Sequence, residues 1–97
     1  MYARLTKVKM KPGVRQDLLA VRQAVDPIVK SLVGLQFCLG LAAEDDELVL
    51  VTVYDSKADV DEAMTDAREI WQRAGHLLDG QPSFKTYEVL KLDAPEP

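Results

Sequence analysis

Cysteine, histidine and tryptophan each occur once in this 97-residue sequence, and aromatic residues make up only 6% of it. The single cysteine, Cys38, excludes an internal disulfide, and the single histidine, His76, leaves too few ligands for a zinc site of ordinary spacing. No apolar run approaches the ~18 residues that a membrane span needs. The sequence therefore predicts neither a disulfide scaffold, nor a metal site, nor a membrane protein.

Positive charge is also scarce, since 12 Lys and Arg stand against 16 Asp and Glu, for a net charge of -4. Nucleic-acid binding depends on clustered cations, and the densest group here is Lys7, Lys9 and Lys11. The acidic run at 44–47 is consecutive, whereas a hard-cation loop alternates its ligands around a tight turn. The N-terminal residues lack the apolar segment of a secretory leader. We therefore expect a cytoplasmic protein that does not bind nucleic acid.

What the sequence does contain is an ordered series of strand-like and helix-like segments. Strand-forming runs cover residues 2–10, 35–43, 48–54 and 84–92, and turn residues bound them. Between the first two runs, apolar positions from Val14 to Leu32 recur at steps of three and four, which is helical spacing. Pro27 lies inside this helix, so we expect it to bend or restart at a capping Asp26 and to end at Gly34.

A second helix is predicted between the third and fourth strands. Ser56 is expected to cap its N-terminus, with acidic side chains following in the first turn. Its apolar positions run at helical spacing from Val60 to Leu78, and Gly80 follows them. This is the most regular amphipathic pattern in the chain.

The order β-α-β-β-α-β predicts a single α+β domain of ferredoxin-like fold over residues 1–92, with a four-stranded antiparallel sheet and a flexible C-terminal tail at 93–97. Right-handed crossovers place both helices on one face of that sheet. The other face should be partly apolar, because neither middle run alternates apolar with polar residues. One strand sends Leu35, Phe37, Leu39 and Leu41 to one side and Cys38, Gly40 and Ala42 to the other, and the next strand sends Val49, Val51 and Val53 to the side opposite Leu48, Leu50, Thr52 and Tyr54.

An apolar open face favours a partner. The simplest one is a second copy of the chain, in a twofold-symmetric homodimer that packs sheet against sheet. A monomer with an apolar patch, or a domain that docks on a different protein, is the alternative.

The chain resembles the antibiotic biosynthesis monooxygenase family over about residues 2–92. The resemblance is carried by the order of elements, the turn at 11–13, the Gly34-Leu35 entry to the second strand and the run at 52–57. It implies membership of the dimeric α+β barrel superfamily, whose enzymes hold a small aromatic polyketide, a quinol or haem between helices and sheet. It further implies a homodimer and oxygenation without a separate flavin or metal cofactor.

The haem-degrading branch of that family uses an Asn, a Trp and a His. Local matching places these three positions near Thr6, on Tyr54 and near Met64, and none of the three residue types agrees. Haem degradation by the family's mechanism is therefore not predicted.

Polar side chains are predicted to converge on the helix-facing side of the sheet. Arg4 is expected to face Glu88 across adjacent strands, because a buried arginine needs a partner. Two interpretations stay open: a structural ion pair, or a pocket in which Arg4 steers an anionic or enolate-like ligand and Tyr54 donates a hydrogen bond. Thr6, Thr52 and Glu88 would then contact substrate.

The second helix adds three candidates. Met64 and Trp71 lie on its apolar face, either as core residues or as surfaces on which a ligand stacks. His76, near its end, either complements the helix dipole or serves as a base.

The first hypothesis is thus a cofactor-independent monooxygenase acting on an aromatic polyketide or quinol-like molecule, with Tyr54, Arg4 and His76 as catalytic residues. The alternative is a non-catalytic small-molecule-binding or protein-interaction domain of the same fold. An isomerase of the same superfamily is a third hypothesis.

Overall fold

The computed structural model of the chain describes residues 1–93, and the predicted tail falls almost wholly outside them. The elements are β1 (Tyr2–Lys9), α1 (Arg15–Ala24), α2 (Asp26–Lys30), β2 (Leu35–Ala42), β3 (Glu47–Tyr54), α3 (Lys57–Glu62), α4 (Met64–Arg73), a 3₁₀ turn (Gly75–Leu77) and β4 (Ser83–Glu88). The predicted β-α-β-β-α-β order is confirmed, with each helical segment divided in two. None of the helices in this described part is long and apolar enough to cross a membrane.

The four strands form one antiparallel sheet in the order β2-β3-β1-β4, as the ferredoxin-like interpretation requires. The central strand β1 pairs with β3 along its whole length, and Arg4 lies between Thr52 on one side and Thr86 on the other. Each of these strands is built from β-branched and aromatic residues that fit a pleated surface.

The first helical segment breaks where Pro27 predicts it. α1 ends at Ala24, and α2 restarts at Asp26 with the proline in its first turn. The predicted capping role of Asp26 is wrong, because Val25 occupies the cap position and the Asp26 carboxylate binds Arg22 and Lys30 instead. α2 also ends at Lys30, before Gly34 is reached.

The second helical segment begins as predicted, because the Ser56 hydroxyl accepts a hydrogen bond of 3.1 Å from the Asp59 backbone N–H. It is not one continuous helix to Leu78. A turn at Ala63 separates α3 from α4, and only the 3₁₀ turn follows Arg73. Leu78 is extended and bridges to Met10, so strand-like pairing with the end of β1 replaces the last helical turn.

Strand β4 is shorter than the predicted run at 84–92. It ends at Glu88, directly opposite Tyr2, and the Val89 N–H then bonds to the Met1 carbonyl at 3.0 Å. Leu90 and Leu92, which follow the strand, are exposed.

The register fixes which side chains face the helices. Leu48, Leu50, Thr52 and Tyr54 of β3 do so, as predicted, and align with the even-numbered residues of β1. The prediction that Leu35 lies on the same side of the strand as Phe37 is wrong, because the register shifts between these two residues. Leu35 therefore packs inward against Tyr54, whereas Phe37, Leu39 and Leu41 stay on the other side of the sheet.

The side of the sheet away from the helices is called the open face here. Its exposed apolar residues are Phe37, Leu39, Leu41 and Tyr87. Val49 and Val51 are half-buried there, but Val53 is only 5% exposed, so the expectation of three uncovered valines is wrong for one of them. The open face is thus apolar over β2 and β3, whereas the exposed Lys7 of β1 and Lys85 of β4 bring charge to its other half.

Candidate functional site

A cavity of about 310 Å³ lies between α1, α4 and the helix-facing side of β2 and β3. Its floor is made by Gly40 and Ala42 of β2 and by Leu48 and Leu50 of β3. Gly40 pairs with Leu50 and Ala42 with Leu48. Space remains above this part of the sheet because β2 presents glycine and alanine to the helices where neighbouring strands present larger side chains.

Helix α1 covers the cavity without filling it. Arg15, Leu18, Arg22 and Val25 line it at spacings of three, four and three residues, which is one face of a helix. No residue within α1 or α2 is buried, whereas Val25 at their junction is fully buried. The helix is therefore anchored at one end and spans an unfilled space along the rest of its inner face.

The third wall is the face of α4 that carries Ile70, Trp71 and Ala74. Trp71 is the only tryptophan of the chain and is half-buried. A flat aromatic wall opposite aliphatic side chains suits a planar apolar ligand.

Charge at the cavity comes from two arginines. The Arg15 guanidinium donates to the Ala43 carbonyl at 2.8 Å, and Arg22 donates to the Asp26 carboxylate at 2.9 Å. Lys30 contacts the same carboxylate at 2.8 Å. These hydrogen bonds, first from Lys30 and then from Arg22, hold the pKa of Asp26 below its ordinary value.

A second group of predicted residues lies under α3 and the start of α4. Arg4 is 4% exposed and donates to the Tyr54 hydroxyl at 3.0 Å and to the Val60 carbonyl at 3.4 Å. Its guanidinium also lies 3.8 Å from the Met64 sulfur. Thr52 donates to the Arg4 carbonyl at 3.4 Å. The structure thus brings Arg4, Tyr54, Thr52 and Met64 together, with Thr6 buried next along β1.

The predicted pairing of Arg4 with Glu88 is wrong. The antiparallel register places Arg4 opposite Thr86 and places Glu88 opposite Tyr2, where its side chain is exposed. Within residues 1–93, Arg4 contacts no carboxylate, and its Nε atom is buried without a hydrogen-bond partner. The guanidinium is held instead by neutral acceptors and by the Tyr54 ring, 5.5 Å away.

His76 lies far from this group. It is exposed in the 3₁₀ turn, and its carbonyl accepts a hydrogen bond from Lys11 at 2.9 Å, just beyond the end of β1. Arg4 lies near the start of β1, seven residues earlier, so roughly 20 Å separate them at about 3.3 Å per strand residue. Of the three predicted catalytic residues, Arg4 and Tyr54 are therefore in contact, whereas His76 lies far from both.

Of the eight predicted site residues, Trp71 is the one that lines the cavity. It also borders a second cavity of about 460 Å³ between α4, the segment 80–82 and Phe84 of β4. Arg15, Arg22, Gly40 and Ala42 were missed. The sequence did carry two signals for them: arginines in register with the apolar stripe of α1, and small residues at alternate positions of β2.

Comparison with known proteins identifies the fold. No protein-family model matches the chain, and no curated protein matches it. Solved structures do match, among them Rv0793 from Mycobacterium tuberculosis, with 20% identity, a TM-score of 0.73 and coverage of 96% of this chain and 98% of that one.

Two further structures are provisionally named antibiotic biosynthesis monooxygenases. The protein from Bordetella bronchiseptica is 15% identical, with a TM-score of 0.75 and coverage of 93% of this chain and 97% of that one. The protein from Deinococcus radiodurans is 9% identical, with a TM-score of 0.76 over the full length of both chains. The chain therefore has the ferredoxin-like α+β fold of these proteins, and the resemblance predicted from the sequence is confirmed at the level of fold.

Proposed function

We propose that this protein binds a small, largely apolar aromatic molecule in the cavity between α1, α4 and the sheet. The observation that carries the proposal is the lining itself, which is aliphatic apart from Trp71 and the two arginines. A concave, mostly apolar space with a few polar groups is the usual form of a small-molecule site, and about 310 Å³ is at the small end of the usual range.

Small size and apolarity select the ligand. Burying an apolar ring against the aliphatic floor is favourable by about 25 cal/mol per Å² of apolar surface removed from water. Trp71 offers a ring face for stacking, which adds to that burial. A flat molecule of two fused rings is thus the expected size class, whereas a nucleotide would leave its phosphates against aliphatic side chains.

The experiment uses Trp71 as the reporter, because the chain has no other tryptophan. We expect the neutral dye phenyl-naphthylamine to quench Trp71 fluorescence saturably. A Gly40→Leu variant should abolish this, since a Cβ at Gly40 lies at an ordinary 3.8 Å from Leu50 and the rest of the side chain then enters the cavity.

Leu39→Ser is the matched control, because Leu39 lies on the same strand but on the open face. It should leave dye binding unchanged. If Leu39→Ser weakens binding and Gly40→Leu does not, the dye occupies the open face and the proposal fails.

A second candidate function is oxygenation of the bound molecule, which the provisional names of the structural relatives favour. For an anthrone, molecular oxygen would give one atom to the ring methylene carbon, and the other would leave as water with the two hydrogens of that carbon. No separate reductant is needed. Tyr54, Arg4 and His76 stay the proposed catalytic residues, with Thr6, Thr52, Met64, Trp71 and Glu88 as proposed substrate contacts. Trp71 alone among these eight lines the cavity, so this function requires the substrate to reach the Arg4–Tyr54 pair beside it as well.

Oxygen consumption with anthrones and hydroquinones tests this second function. Turnover that disappears in Arg4→Met and Tyr54→Phe but survives in Arg73→Gln would support it. Saturable binding without oxygen uptake would leave the protein as a binding module. Because His76 lies far from Arg4, His76→Gln should affect turnover independently if both take part.

The proposal also includes a cytoplasmic homodimer formed through the open face. Phe37, Leu39, Leu41 and Tyr87 are each more than 40% exposed in the single chain. Covering them with the same face of a second copy removes a contiguous apolar surface from water, which is the dominant favourable term in association. The two helical layers would then lie on the outside of the assembly.

Sedimentation velocity at micromolar concentration tests the dimer. Leu39→Lys places a charge on the open face and should give a single chain, whereas Gln16→Lys, at an exposed position of α1 that does not line the cavity, should not. A wild-type protein that sediments as one chain at high micromolar concentration would remove the dimer from the proposal while leaving the cavity in place.

A further inference from the structure

We infer that the ligand of the cavity is an anion, an apolar ring system with one acidic group that Arg15 and Arg22 bind at the α1 side of the cavity. This inference rests on the proposed function and specifies its ligand class. It concerns two residues that the sequence analysis did not place in a site.

The first step is geometric. Arg15 and Arg22 are seven residues apart, two turns along one face of α1, and both line the cavity. Leu18 lies between them on the same face. An arginine in an apolar stripe extends its aliphatic stem along the lining and carries its guanidinium to the boundary with water. The two guanidinium groups therefore lie where a ligand's polar end would emerge from the cavity.

The second step concerns charge. In residues 1–93, Arg15 has no carboxylate partner and bonds only to the Ala43 carbonyl. Arg22 shares the single carboxylate of Asp26 with Lys30. Along α1 and α2 the cations Arg15, Arg22 and Lys30 stand against Asp17 and Asp26. The charged residues that line the cavity are Arg15 and Arg22, and no carboxylate among the described residues lines it.

The third step is the chemistry of recognition. Guanidinium binds carboxylate and other oxyanions through paired N–H donors, which gives stronger hydrogen bonds than neutral partners do. The aliphatic floor of Gly40, Ala42 and Leu50 offers nothing to a second charge. A ligand that suits both the arginines and the aliphatic floor has one acidic group at its edge, such as an aryl carboxylate or an ionised phenol.

Two dyes of the same ring system test the inference. Anilinonaphthalene sulfonate is anionic, and phenyl-naphthylamine is its neutral counterpart. With Trp71 fluorescence as readout, we expect the sulfonate to bind the native protein more tightly. Arg15→Gln and Arg22→Gln should each weaken the sulfonate by about tenfold, the usual size of one hydrogen bond to a charged group, and leave the neutral dye unchanged.

Arg73→Gln is the matched control, because it removes the same charge from α4 at a residue that does not line the cavity and pairs with Glu69. It should affect neither dye. Asp26→Asn changes the charge in the opposite direction by freeing Arg22, so the sulfonate should bind more tightly.

Failure of the inference and failure of the proposed function look different. Suppose that the neutral dye binds and that Gly40→Leu blocks it. If the two dyes then bind equally, or if the arginine variants behave like Arg73→Gln, the cavity is a site for neutral molecules and the inference of an anionic ligand fails. If neither dye reaches the cavity, the proposed function fails as well. A weaker sulfonate complex in Asp26→Asn would contradict the charge step.

Discussion

The two helical layers of this protein cover the same sheet in different ways. The C-terminal layer, α3 and α4, buries Val60 and Ala67 within its helices and Ala63 and Ala74 at their ends. The N-terminal layer, α1 and α2, buries no residue within either helix and leaves a cavity of about 310 Å³ beneath it. Alanine lets the C-terminal layer approach the strands closely, whereas arginine on the inner face of α1 spans a gap.

This difference separates stability from binding within 93 described residues. The C-terminal layer shares a core with Tyr54, which is fully buried, and with the buried Arg4. The N-terminal layer covers the cavity and shares its lining with Ile70 and Trp71 of α4. Changes in the C-terminal layer away from the cavity should therefore affect folding, and changes on the inner face of the N-terminal layer should affect binding.

Removing a buried side chain beneath the C-terminal layer should have the largest effect on stability. Tyr54→Ala removes a fully buried aromatic side chain and the hydroxyl that accepts from Arg4, so we expect a loss of about 3–5 kcal/mol in the free energy of unfolding. Gln16→Ala, at an exposed position of α1 that does not line the cavity, should change it by no more than about 0.5 kcal/mol. Urea denaturation followed by circular dichroism measures both. Equal losses would mean that the two layers are packed alike.

Placing a leucine between the sheet and each helical layer should change the free energy of unfolding in opposite directions. Ala67→Leu overfills a position that is 4% exposed and should lower the free energy of unfolding by about 1–3 kcal/mol. Ala42→Leu extends into the cavity and should be neutral or stabilising by up to about 1 kcal/mol. Thermal unfolding of the two variants checks the pair. A destabilised Ala42→Leu would show that the cavity is closed in solution.

Acidification should loosen the N-terminal layer slightly. The pKa of Asp26 is lowered from 3.8 by hydrogen bonds from Lys30 and then Arg22, so its ion pairs favour the folded state above that value. This contribution is lost as the pH falls through the ordinary value toward the lowered one, because the carboxyl then takes up a proton. Unfolding of Asp26→Asn and native protein should differ by a small amount at neutral pH and converge well below pH 3.8. A difference that persists in acid would contradict the assignment.

The smallest effect is expected at Cys38, beside the cavity floor on β2. Burial raises the pKa of its thiol, against the opposing influence of Arg22 and Arg4. Since only the thiolate reacts, alkylation by iodoacetamide should reach half its maximal rate at a higher pH than in a short cysteine peptide. Labelling rates across a pH series provide the measurement. A midpoint below that of the peptide would show that the arginines dominate.

Much of the fold was predictable because local signals agreed with the global order. Ser56 as a cap, Pro27 at the helix restart and the alternation of β3 each acted through nearby residues. The end of β4 was not predictable from its own sequence, because it depends on where β1 begins. The pairing of Arg4 failed for the same reason: which residue lies opposite is set by register, and the observed register differs by two residues from one that would place Glu88 opposite Arg4.

The candidate site was harder to predict than the fold. The sequence analysis predicted a site at polar residues of the sheet, whereas the structure buries two of them, Arg4 and Tyr54, beneath the C-terminal layer. The cavity exists because Gly40 and Ala42 do not fill the space between β2 and α1. A sequence shows the size of these side chains but not the distance from the strand to the helix above it.

One unpaired residue in β2 has a further consequence. Gln36 is the extra residue at the register shift, tied by its side chain to Asp55 at 2.8 Å. In an uninterrupted ladder after Leu35, the parity of the strand would be reversed, and Phe37, Leu39 and Leu41 would point at α1 in place of Gly40 and Ala42. Large side chains of β2 would then occupy the space beneath α1, and only small or polar residues of β2 would face outward. The vacant space on one side of the sheet and the contribution of β2 to the water-repelling surface on the other thus both follow from one inserted glutamine.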